Sequence, residues 1–197
     1  MNRVLTVIIA LGIVGVGLWF FPRQSAERSL SEQLVQDVLH IVRNVADIRT
    51  EVEDGFEGAY KFEQFVSDAK RRIDPWLSDT HVERRAITDS VQNMLGDLES
   101  ASRIYLAIHK SGSEEQLAQF KVKLDSGRMK TIDLAATILK QESLLNSTGK
   151  RHILEYINQN FGKELTEFQA TKGNPAAPIT PEVAAVFVIK REYEKQI

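Results

Sequence analysis

Cysteine is missing from all 197 residues of this chain. It therefore has no disulfide framework, no cysteine-based zinc site and no lipoprotein attachment point, and an oxidising compartment would leave it chemically unchanged. An excess of one charge is missing too, because 25 Lys and Arg stand against 27 Asp and Glu for a formal net charge of −2. So weak a field does not favour nucleic acid as a partner. The basic clusters Lys70-Arg71-Arg72 and Arg84-Arg85 are short and lack interleaved aromatics for stacking on bases, so they read as solvated helix faces.

The motifs of common chemistries are also absent. No Gly-x-Ser-x-Gly elbow occurs, no Walker spacing occurs, and Gly15-Val16-Gly17 lies inside an apolar run rather than before a helix, which argues against serine hydrolysis and nucleotide binding. Alternation of period two never persists long enough for a sheet, and no repeat of fixed period marks a solenoid. Proline is scarce at five residues, three of them between 175 and 181, so most of the chain is free to form long helices.

The first feature that is present is the run from Val4 to Phe21, which carries no charge. As a helix it would reach about 27 Å, close to the roughly 30 Å hydrocarbon core of a bilayer. A cleaved secretory signal has a shorter apolar region and small residues at its exit. Here the exit is bulky, Trp19-Phe20-Phe21-Pro22-Arg23. The run reads as a permanent signal-anchor over residues 1–22, with Trp19, Phe20, Phe21 and Arg23 at the membrane interface. Basic residues near the two ends nearly balance, and the short N-terminal tail places the C-terminal domain outside the cytoplasm. Gly12, Gly15 and Gly17 give the span a small-residue face without a four-residue spacing.

Beyond the anchor, residues 23–172 read as one helical bundle domain. Ser29 with Glu32, Thr80 with Glu83, and Ser113 with Gln116 have the spacing of capping boxes and mark three helix starts. Leu34, Val38, Ile41, Val45, Ile48 and Val52 recur in steps of four and three, the seam of one bundle helix. Phe62, Phe65, Val66, Ala69 and Ile73 form the face of a second, which Pro75 stops. A third, from Thr80 to Lys110, carries Val91, Leu95, Leu98, Ile104, Tyr105 and Ile108 and ends at Gly112. Leu117, Phe120, Leu124, Ile132, Ala135, Ala136 and Leu139 predict one helix kinked at Gly127. Asn146-Ser147-Thr148 caps a further helix with Ile153, Ile157, Phe161, Leu165 and Phe168 inward, ended by Gly173. The expectation is an all-α fold, an N-terminal transmembrane helix followed by an antiparallel bundle of about five or six helices.

Residues 173–181 form a Pro-rich linker with two Pro-x-x-Pro spacings. Thr180 suits an N-cap, Pro181 the first helical position and Glu182 the positive end of a helix dipole, so a C-terminal helix over 182–197 follows. Its first half is apolar all round and must be covered by the bundle or by a partner. Val183, Val186, Phe187 and Ile189 are the candidate interaction residues.

Candidate chemistry is sparse. Asp37 and His40 have the Glu-x-x-His type of spacing found in bundle metal sites, without a second copy. His40, His81, His109 and His152 fall on separate elements. His81-Val82-Glu83 matches only one piece of a zinc-deaminase motif. The acidic stretch Glu51 to Gly58 lacks the EF-hand order of ligands. No enzyme activity, metal or cofactor is assigned. The expected function is a single-span, membrane-anchored helical domain that works through protein–protein contacts as scaffold, adaptor or accessory subunit. Its partners are the lipid bilayer and a protein or a second copy. The alternative is an extracytoplasmic ligand-sensing or small-molecule-binding module.

Overall fold

A computed structural model describes residues 26–27, 29–48, 56–111, 113–171 and 180–197. Among them are six α-helices and no strand: α1 over 29–48, α2 Phe56–Ile73, α3 Val82–Ser111, α4 Glu114–Lys140, α5 Ser147–Ala170 and α6 Pro181–Lys195. The chain is an all-α bundle over this range. No described helix is long and apolar enough to cross a membrane. The anchor expectation falls on residues 1–22, outside the described residues.

Helix starts follow local capping where the expected cap forms. Ser113 accepts the Gln116 N–H, Asn146 accepts the Gly149 N–H at 2.8 Å, and Thr180 accepts the Val183 N–H with Pro181 in the first turn. Two expected capping boxes do not form. Residues 26 and 27 are already helical, so Ser29 lies inside the helical stretch, and the Glu32 carboxylate turns to His152 on α5 at 2.9 Å. At the start of α3 the His81 N–H goes to the Asp79 carboxylate at 2.8 Å, and Glu83 receives the Ser143 hydroxyl. In both cases an acid within reach of another helix makes the long-range contact instead of folding back on its own backbone.

The register between helices is legible in their pairs. Asn93 with Lys130, Asp97 with Ser126 and Tyr105 with Phe120 descend along α4 as they climb α3, so the two run antiparallel. Asp37 with Arg72 joins α1 to α2, and Lys70 with Glu99 joins α2 to α3. The contacts Glu32–His152 and Arg43–Glu164 advance together, so α1 and α5 lie side by side in parallel. Two alternate members of an up-down series meet this way.

Leu34, Val38, Ile41, Val45 and Ile48 are buried as expected, and so are Val35, Leu39 and Val42. α1 is covered by neighbours on two sides and its buried face is wider than a seam. Val52 lies outside the described residues. Phe62, Val66, Ala69 and Ile73 of α2, Val91, Leu95, Leu98 and Tyr105 of α3, and Ile153, Ile157, Phe161 and Leu165 of α5 complete the core. A single 3-10 turn, Asp74–Trp76, follows α2 at Pro75 and buries Trp76.

α4 corrects the sequence reading most. It runs as one helix through Gly127, which is buried against α3, where an ideal Cβ would come within 2.6 Å of Leu98 Cδ2. The glycine serves close helix approach. Ile132 and Ala136, expected inward, face solvent. The inward positions are Phe120, Thr131, Leu134, Ala135 and Ile138.

Candidate functional site

Of the sequence-derived site residues, Trp19, Phe20, Phe21 and Arg23 lie outside the described residues. The other four are on α6, which packs on α4 and α5. Val186 and Ile189 are fully covered, Val183 is half-buried, and Phe187 sets its ring at a tilt to that of Phe168, with centroids 5.0 Å apart. Val186 and Ile189 have no surface left to offer a partner. Glu182, placed by sequence at a helix dipole, is completely buried. It forms a two-pronged ion pair with Arg128 of α4, at 2.8 Å from Nε and 3.1 Å from Nη2. That carboxylate raises the Arg128 pKa above its ordinary value. No sequence signal links the two residues, which lie 54 positions apart.

A cleft of about 530 Å³ opens between α1 and α2, lined by Asp37, His40, Asn44, Asp68, Arg72 and Trp76 among others. Asp37 lines it because α1 presents it one turn before His40 and two turns before Asn44, facing the C-terminal turn of α2. One Asp37 oxygen takes Arg72 Nη1 at 2.9 Å and the other accepts the Trp76 indole N–H at 3.2 Å. His40 Nε2 lies 3.2 Å from the Asn44 amide. Burial lowers the His40 pKa and the Arg72 charge lowers it further, against the opposing pull of Asp37. The lowered pKa favours the neutral ring, whose Nε2 can accept the Asn44 N–H. Arg71 pairs with Asp68 at the rim.

The arrangement is self-neutralising. Each acid in the cleft already holds a base or an indole, and no nucleophile is paired with a general base. Among the described residues no group of three or more His, Asp or Glu is placed to hold a metal ion. Asp37 and His40 keep their sequence spacing but serve α1–α2 packing. The His81 backbone N–H donates to Asp79 while its ring Nδ1 is buried without a hydrogen-bond partner, and Glu83 accepts from Ser143. The side chains of His109 and of Glu51 to Phe56 lie outside the description. The cleft can accommodate a polar side chain or a small polar molecule.

The two well-placed histidines should titrate in opposite directions. For His40 the folded pKa is depressed, so its contribution to stability is complete above the unfolded midpoint near 6.5 and is lost as pH falls through the folded value. For His152 the hydrogen bond from Nδ1 to Glu32 raises the pKa, so its contribution is complete below about 6.5 and is lost as pH rises through the folded value. Two-dimensional NMR titration of the imidazole resonances is expected to place the His40 midpoint below and the His152 midpoint above that of a free histidine. Glu32→Gln should return only His152 towards 6.5. A His152 midpoint unmoved by that change would break the assignment.

The outward face of α4 is a second candidate surface, missed because the sequence reading assigned part of it to the core. Ala118, Val122, Met129, Ile132 and Ala136 are exposed, Val122 at 67% and Met129 at 54%. With Asp125 they fall at steps of four, three, four, three and four. The core face of α4 lies opposite. Between α2 and α3 a groove of about 410 Å³ is lined by Ile73, Leu77, Leu95 and Gly96 with Lys70 and Glu99 at its rim. No family model, curated protein or solved structure matches the chain.

Proposed function

We propose that this chain is a membrane-anchored helical interaction domain, held by the apolar run 4–21 with the bundle outside the cytoplasm, and that it works by protein–protein contact as an adaptor or accessory subunit. The observation that carries this reading is the exposed apolar stripe on α4. Its period matches one α-helix laid along another, and its length from Ala118 to Ala136 is about 27 Å. An exposed stripe adds nothing to the folding of the chain itself, and its covering is a helix of a partner subunit. The self-paired polar groups of the α1–α2 cleft agree with a binding role rather than a catalytic one.

Val122→Glu combined with Met129→Glu tests this reading. Both side chains are exposed, so the domain should keep its helical content and stay within about 0.5 kcal/mol of its original stability. The protein species that crosslinks to α4 in native membranes should disappear. A variant that retains every crosslinked partner would exclude the stripe as the contact surface. The second reading is a small polar ligand in the α1–α2 cleft, favoured by the size of that cleft and by the indole of Trp76 on its wall. A ligand-dependent change in Trp76 fluorescence that is lost in His40→Ala would support it.

A further inference from the structure

One end of the bundle can be assigned to the bilayer, on the reading of residues 4–21 as an anchor. Phe21 is the last residue of that run and residue 26 is already helical. Five residue steps separate them, about 18 Å at full extension, and the headgroup layer occupies about 6 Å of that reach. The first turn of α1 is therefore tethered within a helix diameter of the membrane surface, whichever side of the membrane the domain occupies.

Three contacts show what else lies at that end. The Glu27 carbonyl accepts from Arg84 in the first turn of α3 at 3.5 Å. The Glu32 carboxylate takes His152 of α5 at 2.9 Å. Glu83 receives the hydroxyl of Ser143 in the α4–α5 turn. The starts of α1, α3 and α5 and the end of α4 thus share one end. α3 has 30 residues and extends about 45 Å, so the opposite end, with Tyr60 near the start of α2 and Leu117 near the start of α4, lies beyond the reach of the tether.

The tethered end carries an apolar side chain that folding does not explain. Val82, the first residue of α3, is 80% exposed, and Leu30 in the first turns of α1 is 41% exposed. Arg85, Lys140 and Arg151 are exposed in the same group of helix ends, together with Glu27 and Glu142, so the charge there is mixed. Exposed apolar side chains flanked by Arg and Lys stems that can lie along the interface suit a surface that seats in the headgroup region. We propose that this end of the bundle rests on the bilayer, with Val82 and Leu30 at the boundary between headgroups and acyl chains.

The absence of cysteine makes the test clean. Single replacements Leu30→Cys, Val82→Cys, Tyr60→Cys and Leu117→Cys in the full chain each accept one fluorescent label at an exposed position. The labelled chains are reconstituted into phosphatidylcholine vesicles that carry headgroup nitroxides. Labels at 82 and 30 are expected to be strongly quenched, and those at 60 and 117 to be unaffected. Equal quenching at the two ends, or none at 82 and 30, overturns the assignment. Carbonate extraction of the same vesicles separates the two levels of the argument. A chain stripped by carbonate overturns the anchor and this inference with it, whereas a retained chain with an unquenched label at 82 overturns the inference alone.

Discussion

Deleting residues 180–197 is expected to unfold the domain under conditions in which the intact chain is stable. α6 contributes Ala185, Val186, Ile189 and Tyr193 to the core, each almost fully buried. Full burial of one large apolar side chain is worth about 1.5–3 kcal/mol, and the three large ones together approach the 5–15 kcal/mol that separates most folded domains from their unfolded ensembles. A compact denatured state reduces that sum without removing it. The deletion also uncovers the side of α4 on which α6 packs, Arg128 included. The truncated chain should lose its cooperative thermal transition and aggregate. If it melts within a few degrees of the intact chain, α6 does not belong to the core, and its apolar face is free for a partner.

Arg128→Met should have the next largest effect. It leaves the Glu182 carboxylate completely buried without its cation. Removing one member of a buried pair typically costs about 3–5 kcal/mol, because the remaining charge keeps its desolvation penalty and loses its partner. Glu182→Gln should cost less, since a neutral amide is cheaper to bury and still accepts from the guanidinium. The double change Arg128→Met with Glu182→Leu should recover most of the loss, as apolar replacements of buried pairs are commonly neutral or better. Urea unfolding of the four proteins checks this ordering. The slope should be unchanged, so that midpoint differences report stability. A loss below about 1 kcal/mol for Arg128→Met would mean that water reaches Glu182 and that the pair is not buried in solution.

The pair also explains why α6 sits where it does. Apolar residues cover the first half of α6 almost all round, so hydrophobic burial alone leaves its rotation poorly defined. Glu182 admits only orientations that bring it to Arg128. This is a registry role for a buried polar contact. Asp97 has a comparable but wetter role between α3 and α4, where Lys130 at 2.7 Å, Ser126 at 2.7 Å and Lys123 at 3.1 Å surround its carboxylate. Those partners, led by Lys130, hold its pKa well below the usual carboxylate range.

What the amino-acid order determined by itself was local. Ser113, Asn146 and Thr180 cap α4, α5 and α6 because each oxygen reaches a backbone N–H only three residues away. Pro75 ends α2 because a proline and the residue before it constrain their own backbone. The inward faces of α2 and α5 follow from a single period with a single apolar side. None of these needs another helix to be present.

Tertiary structure decided the points at which one helix offers more than one answer. α4 is apolar on two opposite faces, and only packing against α3 and α6 selected Phe120, Leu134 and Ile138 and left Val122, Met129 and Ile132 outside. Glu32 and Glu83 had the spacing to cap their own helices, but His152 and Ser143 lay within reach. Glu182 had a dipole to complement, but Arg128 was there to be bonded. A partner 54 to 120 residues away leaves no trace in local spacing. At Glu182 the choice rests on the stronger electrostatics of a dry contact, whereas the Glu32 and Glu83 contacts are exposed and rest on reach alone, and in every case the partner is in place only once the helices have met.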